Sequence, residues 1–165
     1  TNLSDRLCAA RLVVHQGDDV HRAEVLEHFF DRWQSENLVV NQWFVMQATR
    51  PSADCVSDVT ELTHHAAFDW RNPNKVRSLI SAFAGANPTA FHALDGGGYR
   101  LLGDAVRRLQ SDNPQIAARM LAPMTRWRRY DHGQAVMRGE LESIAALEGL
   151  SQDVYEVVNR SLSDS

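Results

Sequence analysis

Three Asn-Pro dipeptides, Asn72-Pro73, Asn87-Pro88 and Asn113-Pro114, set the strongest limit on what this chain can fold into. An asparagine before a helix accepts hydrogen bonds from the free N–H groups of the first turn. A proline at the first helical position lacks only an N–H that would go unpaired there, and its fixed φ already suits a helix. Proline also disfavours helix in the residue before it, so each dipeptide marks a boundary as well as a start. Pro51 stops one further helix and Pro123 splits or kinks another.

Apolar residues between these marks follow the helical period, and no run alternates apolar with polar as a half-buried strand would. Leu3, Leu7, Ala10 and Val14 define a first helix ending near Gly17, and Asp18 or Asp19 caps a second that carries Val25, Leu26, Phe29, Phe30 and Trp33, with Asn37 closing it. Leu38 to Thr49 forms a third, and Ser52 or Asp54 caps a fourth through Val56, Val59 and Leu62. Phe68 to Arg71 is expected to be extended. Val76, Leu79, Ile80 and Phe83 belong to the first Asn-Pro helix, with Gly85 expected in the left-handed C-terminal position. Tyr99 to Leu109, Ile116 to Trp127, a segment from Val136 or Met137 to Ala145 ending at Gly149, and a Ser151-capped segment through Leu162 complete the walk. The expectation is an all-α fold of about 8–10 short helices in antiparallel pairs, an armadillo or HEAT-like α–α superhelix without a strict sequence period.

With 165 residues, 44% of them hydrophobic, the chain is read as a single helical domain spanning 1–165. Its formal net charge of −4 argues against nucleic acid as a partner. No apolar run approaches the roughly 20 residues of a membrane span, and Thr1 to Ala10 is not a secretory leader, so a cytoplasmic location is expected. Cys8 and Cys55 form neither a CxxC pair nor a disulfide framework, and two buried free thiols in a reducing compartment are expected. A first residue that is Thr rather than Met fits a piece of a larger protein.

Glu24, His28 and Asp31 share a helix face at a spacing suited to a metal, but such patterns are ordinarily solvated surface. His64 and His65 point about 100° apart on a helix and make poor joint ligands. His92 is assigned a structural hydrogen bond. Asp95-Gly96-Gly97-Gly98 lacks the strand and lysine of a phosphate loop and is read as a turn. Arg126 to Tyr130 is read as a solvated helix end with Trp127 inward and the arginines complementing the helix dipole. No metal site and no catalytic residue is assigned.

The stretch NPNKVRSLISAFAGANPTAFHALDGGGY from Asn72 to Tyr99 resembles the C-terminal helical domain of bacterial aminopeptidase N, a zinc-dependent gluzincin family. The likeness continues through Trp33, Glu36-Asn37-Leu38-Val39, Gln42-Trp43-Phe44, Gln47-Ala48-Thr49 and Pro51. Downstream it includes Asn113-Pro114-Gln115, Ala118-Arg119, Pro123, Arg129-Tyr130-Asp131, Leu147-Glu148 and Leu150-Ser151. It implies a non-catalytic domain that caps and lines the cavity of an enzyme removing N-terminal residues from peptides. Its partners would be the catalytic and other domains of the same polypeptide and the peptide substrate, with zinc as the cofactor of the full-length enzyme. The His-Glu-x-x-His motif that such an enzyme needs does not occur in these residues, so the isolated chain is expected to be inactive. Arg77 and Arg119 match positions that the resemblance makes cavity-facing, with an ordinary intradomain salt bridge as the competing role. The alternative for the whole chain is a stand-alone helical-repeat scaffold that binds a protein partner along its groove.

Overall fold

The computed structural model describes residues 2–163, and every regular element among them is helical. The chain divides between Phe83 and Ala84 into two compact units. In the first, α1 (Leu3–Gln16), α2 (Asp19–Trp33), α3 (Asn37–Ala48) and α4 (Cys55–Leu62) precede a continuous helical stretch over residues 73–86. Within that stretch α5 (Pro73–Val76) passes into a π segment, Arg77–Ser81, and then into α6 (Ala82–Ala86), which crosses the division.

Helix α3 is the centre of the first unit, packed against α1, α2, α4, α5 and the π segment. Its apolar side chains go all round the axis, as a buried helix requires: Val39, Val40, Trp43, Phe44, Met46 and Ala48 are all buried. The rings of Phe30, Phe44 and His65 gather around Trp43, whose indole N–H donates to the Leu26 carbonyl at 2.9 Å. Replacing fully buried Phe44 by Ala would cost about 3–5 kcal/mol.

The second unit holds α7 (Pro88–Phe91), α8 (Gly97–Leu109), α9 (Pro114–Met120), α10 (Ala122–Thr125), a 3₁₀ turn at Trp127–Arg129, α11 (Gln134–Ala145) and α12 (Gln152–Ser163). Here α8 is central. It buries Tyr99, Leu102, Ala105, Val106 and Leu109 and packs on α7, α9 and α11, while α12 lies on α9, α10 and α11. A Cβ at Gly98 would fall 2.4 Å from the Phe91 carbonyl oxygen, so only glycine lets α7 and α8 approach this closely.

All three Asn-Pro caps form as the sequence predicts. The Asn72 side chain accepts from Asn74 and Lys75, Asn87 from Ala90, and Asn113 from Ile116. Pro123 does split its helix, separating α9 from α10. Asn37 opens α3 rather than closing α2, which ends at Trp33. Asp54 occupies the N-cap position of α4, but its carboxylate is engaged by Arg50 and Ser52 instead of the helix amides. Gly85 is not left-handed: it lies inside α6, because Asn87-Pro88 rather than glycine stops the helix. The positive-φ glycines are Gly96, Gly133 and Gly149. Cys8 is exposed, contrary to the expectation of two buried thiols, since it projects from the side of α1 away from Ala10 and Val14. Cys55 is buried, and its thiol donates to the Gln47 carbonyl at 3.2 Å.

Candidate functional site

Arg77 opens the π segment, one turn beyond the Asn72 cap, and its guanidinium is exposed. Its recorded partner is the Asn74 side-chain oxygen at 3.4 Å, a neutral acceptor on the same turn. Arg119 lies in the last turn of α9, flanked by buried Ala118 and Met120, and is exposed too. Among the described residues neither arginine makes a salt bridge. The arginines that do include Arg22 on Asp19, Arg50 on Asp54 and Asp58, Arg71 on Asp69, Arg107 on Asp104 and Glu140, and Arg138 on Glu142. Arg77 and Arg119 therefore hold guanidinium groups on helical elements with their charge unmatched within their own units. Such groups are available for bidentate pairing with a carboxylate or for carbonyl recognition.

Other candidates fall into structural roles. Glu24, His28 and Asp31 are exposed on α2, and no three His, Cys, Asp or Glu side chains among the described residues come together as a metal would require. The residues present thus do not fit a resident zinc ion. His65 sits among Phe30, Trp43 and Phe44, and its Nδ1 accepts from the Ala67 amide at 3.0 Å. Burial holds its pKa below the ordinary histidine value. His92 meets the Tyr99 hydroxyl at 2.7 Å through Nδ1, the structural bond assigned to it, and burial, with His132 nearby, lowers its pKa as well. Asp95 accepts from the Gly97 amide at 2.8 Å in a turn where Gly96 takes φ of 74°, leading directly into α8.

Trp127 does point inward, but the arginines beside it do not crown their own helix. Arg128 and Arg129 belong to a 3₁₀ turn, and Arg128 donates to the Ser161 and Leu162 carbonyls in the last turn of α12. The dipole that Arg128 complements is another helix's. Two buried cations were not anticipated. Arg50 is held by two carboxylates, whereas Lys75 donates to the Asn41 side-chain oxygen at 2.6 Å and to the Asn37 carbonyl at 3.4 Å. An Asn-Pro-Asn-Lys first turn looks solvated in sequence, and only α3 packing over it makes Lys75 interior.

The fold and these side chains define an all-helical domain of paired helices with unpaired exposed arginines and no catalytic constellation among the described residues. The chain belongs to the family whose model is described as "Domain of unknown function (DUF3458_C) ARM repeats", matched over residues 1–163. It is 42% identical over 162 residues to Aminopeptidase N of Escherichia coli K12, covering 98% of this chain and 18% of that protein. The figure is 39%, with the same coverage, for Aminopeptidase N of Haemophilus influenzae, and 38% for that of Caulobacter vibrioides, with 98% of this chain and 19% of that protein covered. Among solved structures, Legionella pneumophila aminopeptidase A in complex with aspartic acid superposes with a TM-score of 0.91 at 32% identity, covering 98% of this chain and 19% of that one. The chain therefore spans about a fifth of the length of these relatives. Its match lies in their C-terminal segment.

Proposed function

We propose that this chain is the non-catalytic C-terminal helical domain, a single domain over 1–165, of a cytoplasmic zinc aminopeptidase that removes N-terminal residues from peptides. The observation that carries the reading is the 42% identity to an aminopeptidase across 98% of the chain, in a segment that carries no His-Glu-x-x-His. In the parent enzyme a zinc ion would supply activation of the attacking water, and its ligands and the general base would be held by another part of the polypeptide. This domain walls the reaction chamber and contacts the far end of the peptide. Arg77 and Arg119 serve that contact: both are exposed on helical elements and carry no salt bridge among the described residues. A π segment at Arg77 also supports the role, since such local insertions into helices recur at functional sites.

Substitution of both arginines by alanine in the full-length enzyme tests the assignment. Each charge-assisted hydrogen bond contributes about 1.5–3 kcal/mol, so kcat/KM for tri- or tetrapeptides should fall by about 10-fold or more. Hydrolysis of a single-residue anilide, which has no distal peptide carboxylate, should change little. Equal losses on both substrates would count against the arginines, and absence of aminopeptidase activity in the unsubstituted full-length protein would reject the reading itself.

A further inference from the structure

Two strings of residues at four-residue spacing meet in the second unit. Ala84, Pro88 and His92 recur from α6 through the end of α7, and Ala122, Arg126 and Tyr130 recur from α10 through the 3₁₀ turn. Four residues is close to one helical turn, so each string presents one face. With Gly85 and Pro123 the two faces enclose a cavity of about 270 Å³. The His92 and Tyr130 rings join them, 4.2 Å apart and 32° from parallel. Methyl groups and proline rings form most of the remaining wall. Gly85 leaves its place in that wall open, since a Cβ there would meet nothing within 4 Å. The volume falls just short of the roughly 300–1,000 Å³ of sites for drug-sized ligands, so the cavity suits a smaller molecule.

Arg126 lines this cavity, and no carboxylate lines it. Its exposed guanidinium makes no hydrogen bond, ion pair or ring contact among the described residues. His92 supplies a second donor. The Tyr99 hydroxyl is buried and has His92 Nδ1 as its partner at 2.7 Å, so the phenolic proton goes to Nδ1. Burial lowers the His92 pKa and keeps the ring neutral at pH 7. A neutral ring that accepts at Nδ1 carries its own proton on Nε2, which has no partner among the described residues. A cavity of about 420 Å³ in the first unit differs in this respect: its arginines are already on carboxylates, Arg22 on Asp19 and Arg50 on Asp58. We propose that the second-unit cavity binds a small carboxylate with a flat apolar body, its oxygens on the Arg126 guanidinium and the His92 Nε2–H and its body against Tyr130, Pro88 and Pro123. The guanidinium fork matches a planar carboxylate. One cation with neutral donors matches a monoanion better than a phosphate. A free amino acid is disfavoured, because its ammonium would find no carboxylate on the lining. The site is additional to Arg77 and Arg119 and does not depend on the aminopeptidase reading.

The test uses the full-length polypeptide with a fluorotyrosine in place of Tyr130, whose single fluorine resonance reports on this cavity alone. Titration with hydrocinnamate at neutral pH should shift the resonance saturably, with a Kd on the order of 1 mM. Hydrocinnamide, which keeps the body and loses the charge, should bind at least about 10-fold more weakly, as should phenylalanine and inorganic phosphate. Arg126→Gln should raise the hydrocinnamate Kd about 10-fold or more, and Arg126→Lys should fall between the two. Both variants should melt with the unsubstituted protein, because the Arg126 side chain bonds to nothing in the fold. Joint Arg77→Ala and Arg119→Ala substitution should leave the Kd unchanged. No saturable shift up to roughly 20 mM hydrocinnamate overturns the proposal. Equal binding of the amide, of phenylalanine or of phosphate also overturns it, as does an unchanged Kd in Arg126→Gln. Anilide hydrolysis followed in parallel keeps the two ideas apart: saturable binding in a protein without activity would leave the site standing and remove the enzymatic reading.

Discussion

The ammonium of Lys75 lies 2.6 Å from the side-chain oxygen of Asn41, with no carboxylate paired to it among the described residues. Neutral acceptors, the Asn41 side chain and the Asn37 carbonyl, hold a buried cation near the first turn of α3, where the helix dipole is itself unfavourable to positive charge. Burial accordingly lowers the Lys75 pKa below its ordinary 10.5.

With the folded value below the unfolded one, the unfolded state binds more protons between the two. Lys75 thus adds stability above pH 10.5 that is lost as pH falls through its folded pKa. The stability difference between the wild type and Lys75→Met should therefore move in the wild type's favour as pH rises toward 10.5, read from urea midpoints. At pH 7 the Met variant should stay within about 1 kcal/mol of the wild type, because losing a desolvated charge offsets the hydrogen bonds lost. Lys75→Glu should cost about 3 kcal/mol or more.

The two thiols should separate cleanly. Burial pushes the Cys55 thiol up to about 11, while Cys8 is exposed. One equivalent of thiol should react with a disulfide reagent in the native protein and a second only after unfolding. Since the folded Cys55 value exceeds the unfolded 9.0, this residue's contribution is present below pH 9 and lost as pH rises toward 11. Cys55→Ala should remove that alkaline loss. A native protein that yields both thiols at equal rates would contradict the packing of α4 against α3.

Glycine substitutions should act in opposite directions at two sites. Gly133 takes φ of 78°, and a Cβ there would meet the Tyr99 hydroxyl at 2.6 Å. Gly133→Ala should cost about 2 kcal/mol or more and lower Tm by several degrees. Gly85 is helical with nothing within 4 Å of a Cβ, so Gly85→Ala should be neutral or stabilising by about 0.5–1 kcal/mol in thermal melts.

The features legible in the sequence were those determined within a turn or two of chain. Asn72, Asn87 and Asn113 cap the helices they were assigned to because the acceptor and the amides it serves lie three residues apart or less. Val76, Leu79, Ile80 and Phe83 are buried as their spacing implied, yet that same spacing gives no sign of the π segment. Features that depend on distant partners were missed. Arg128 reads locally as a helix end but binds carbonyls 33 and 34 residues away. Lys75 becomes interior only through α3, 34 residues earlier. At Gly85 two stop signals stand close together in the sequence, and the Asn87-Pro88 pair prevails. For Arg77 and Arg119 the positions came from family likeness; no local rule distinguishes an exposed arginine awaiting a partner from one facing bulk water.

The Asn-Pro starts also bear on how such a chain can change over generations. A helix whose first residue is fixed by its own side chain and its own ring keeps its phase whatever happens in the preceding loop. A residue gained or lost in the exposed parts of the connections ahead of Asn72 and Asn113, away from packed His65 and buried Phe68, leaves the following apolar stripe in phase. Drift in length is thereby confined to the connections, and each rod remains correctly indexed to its neighbours.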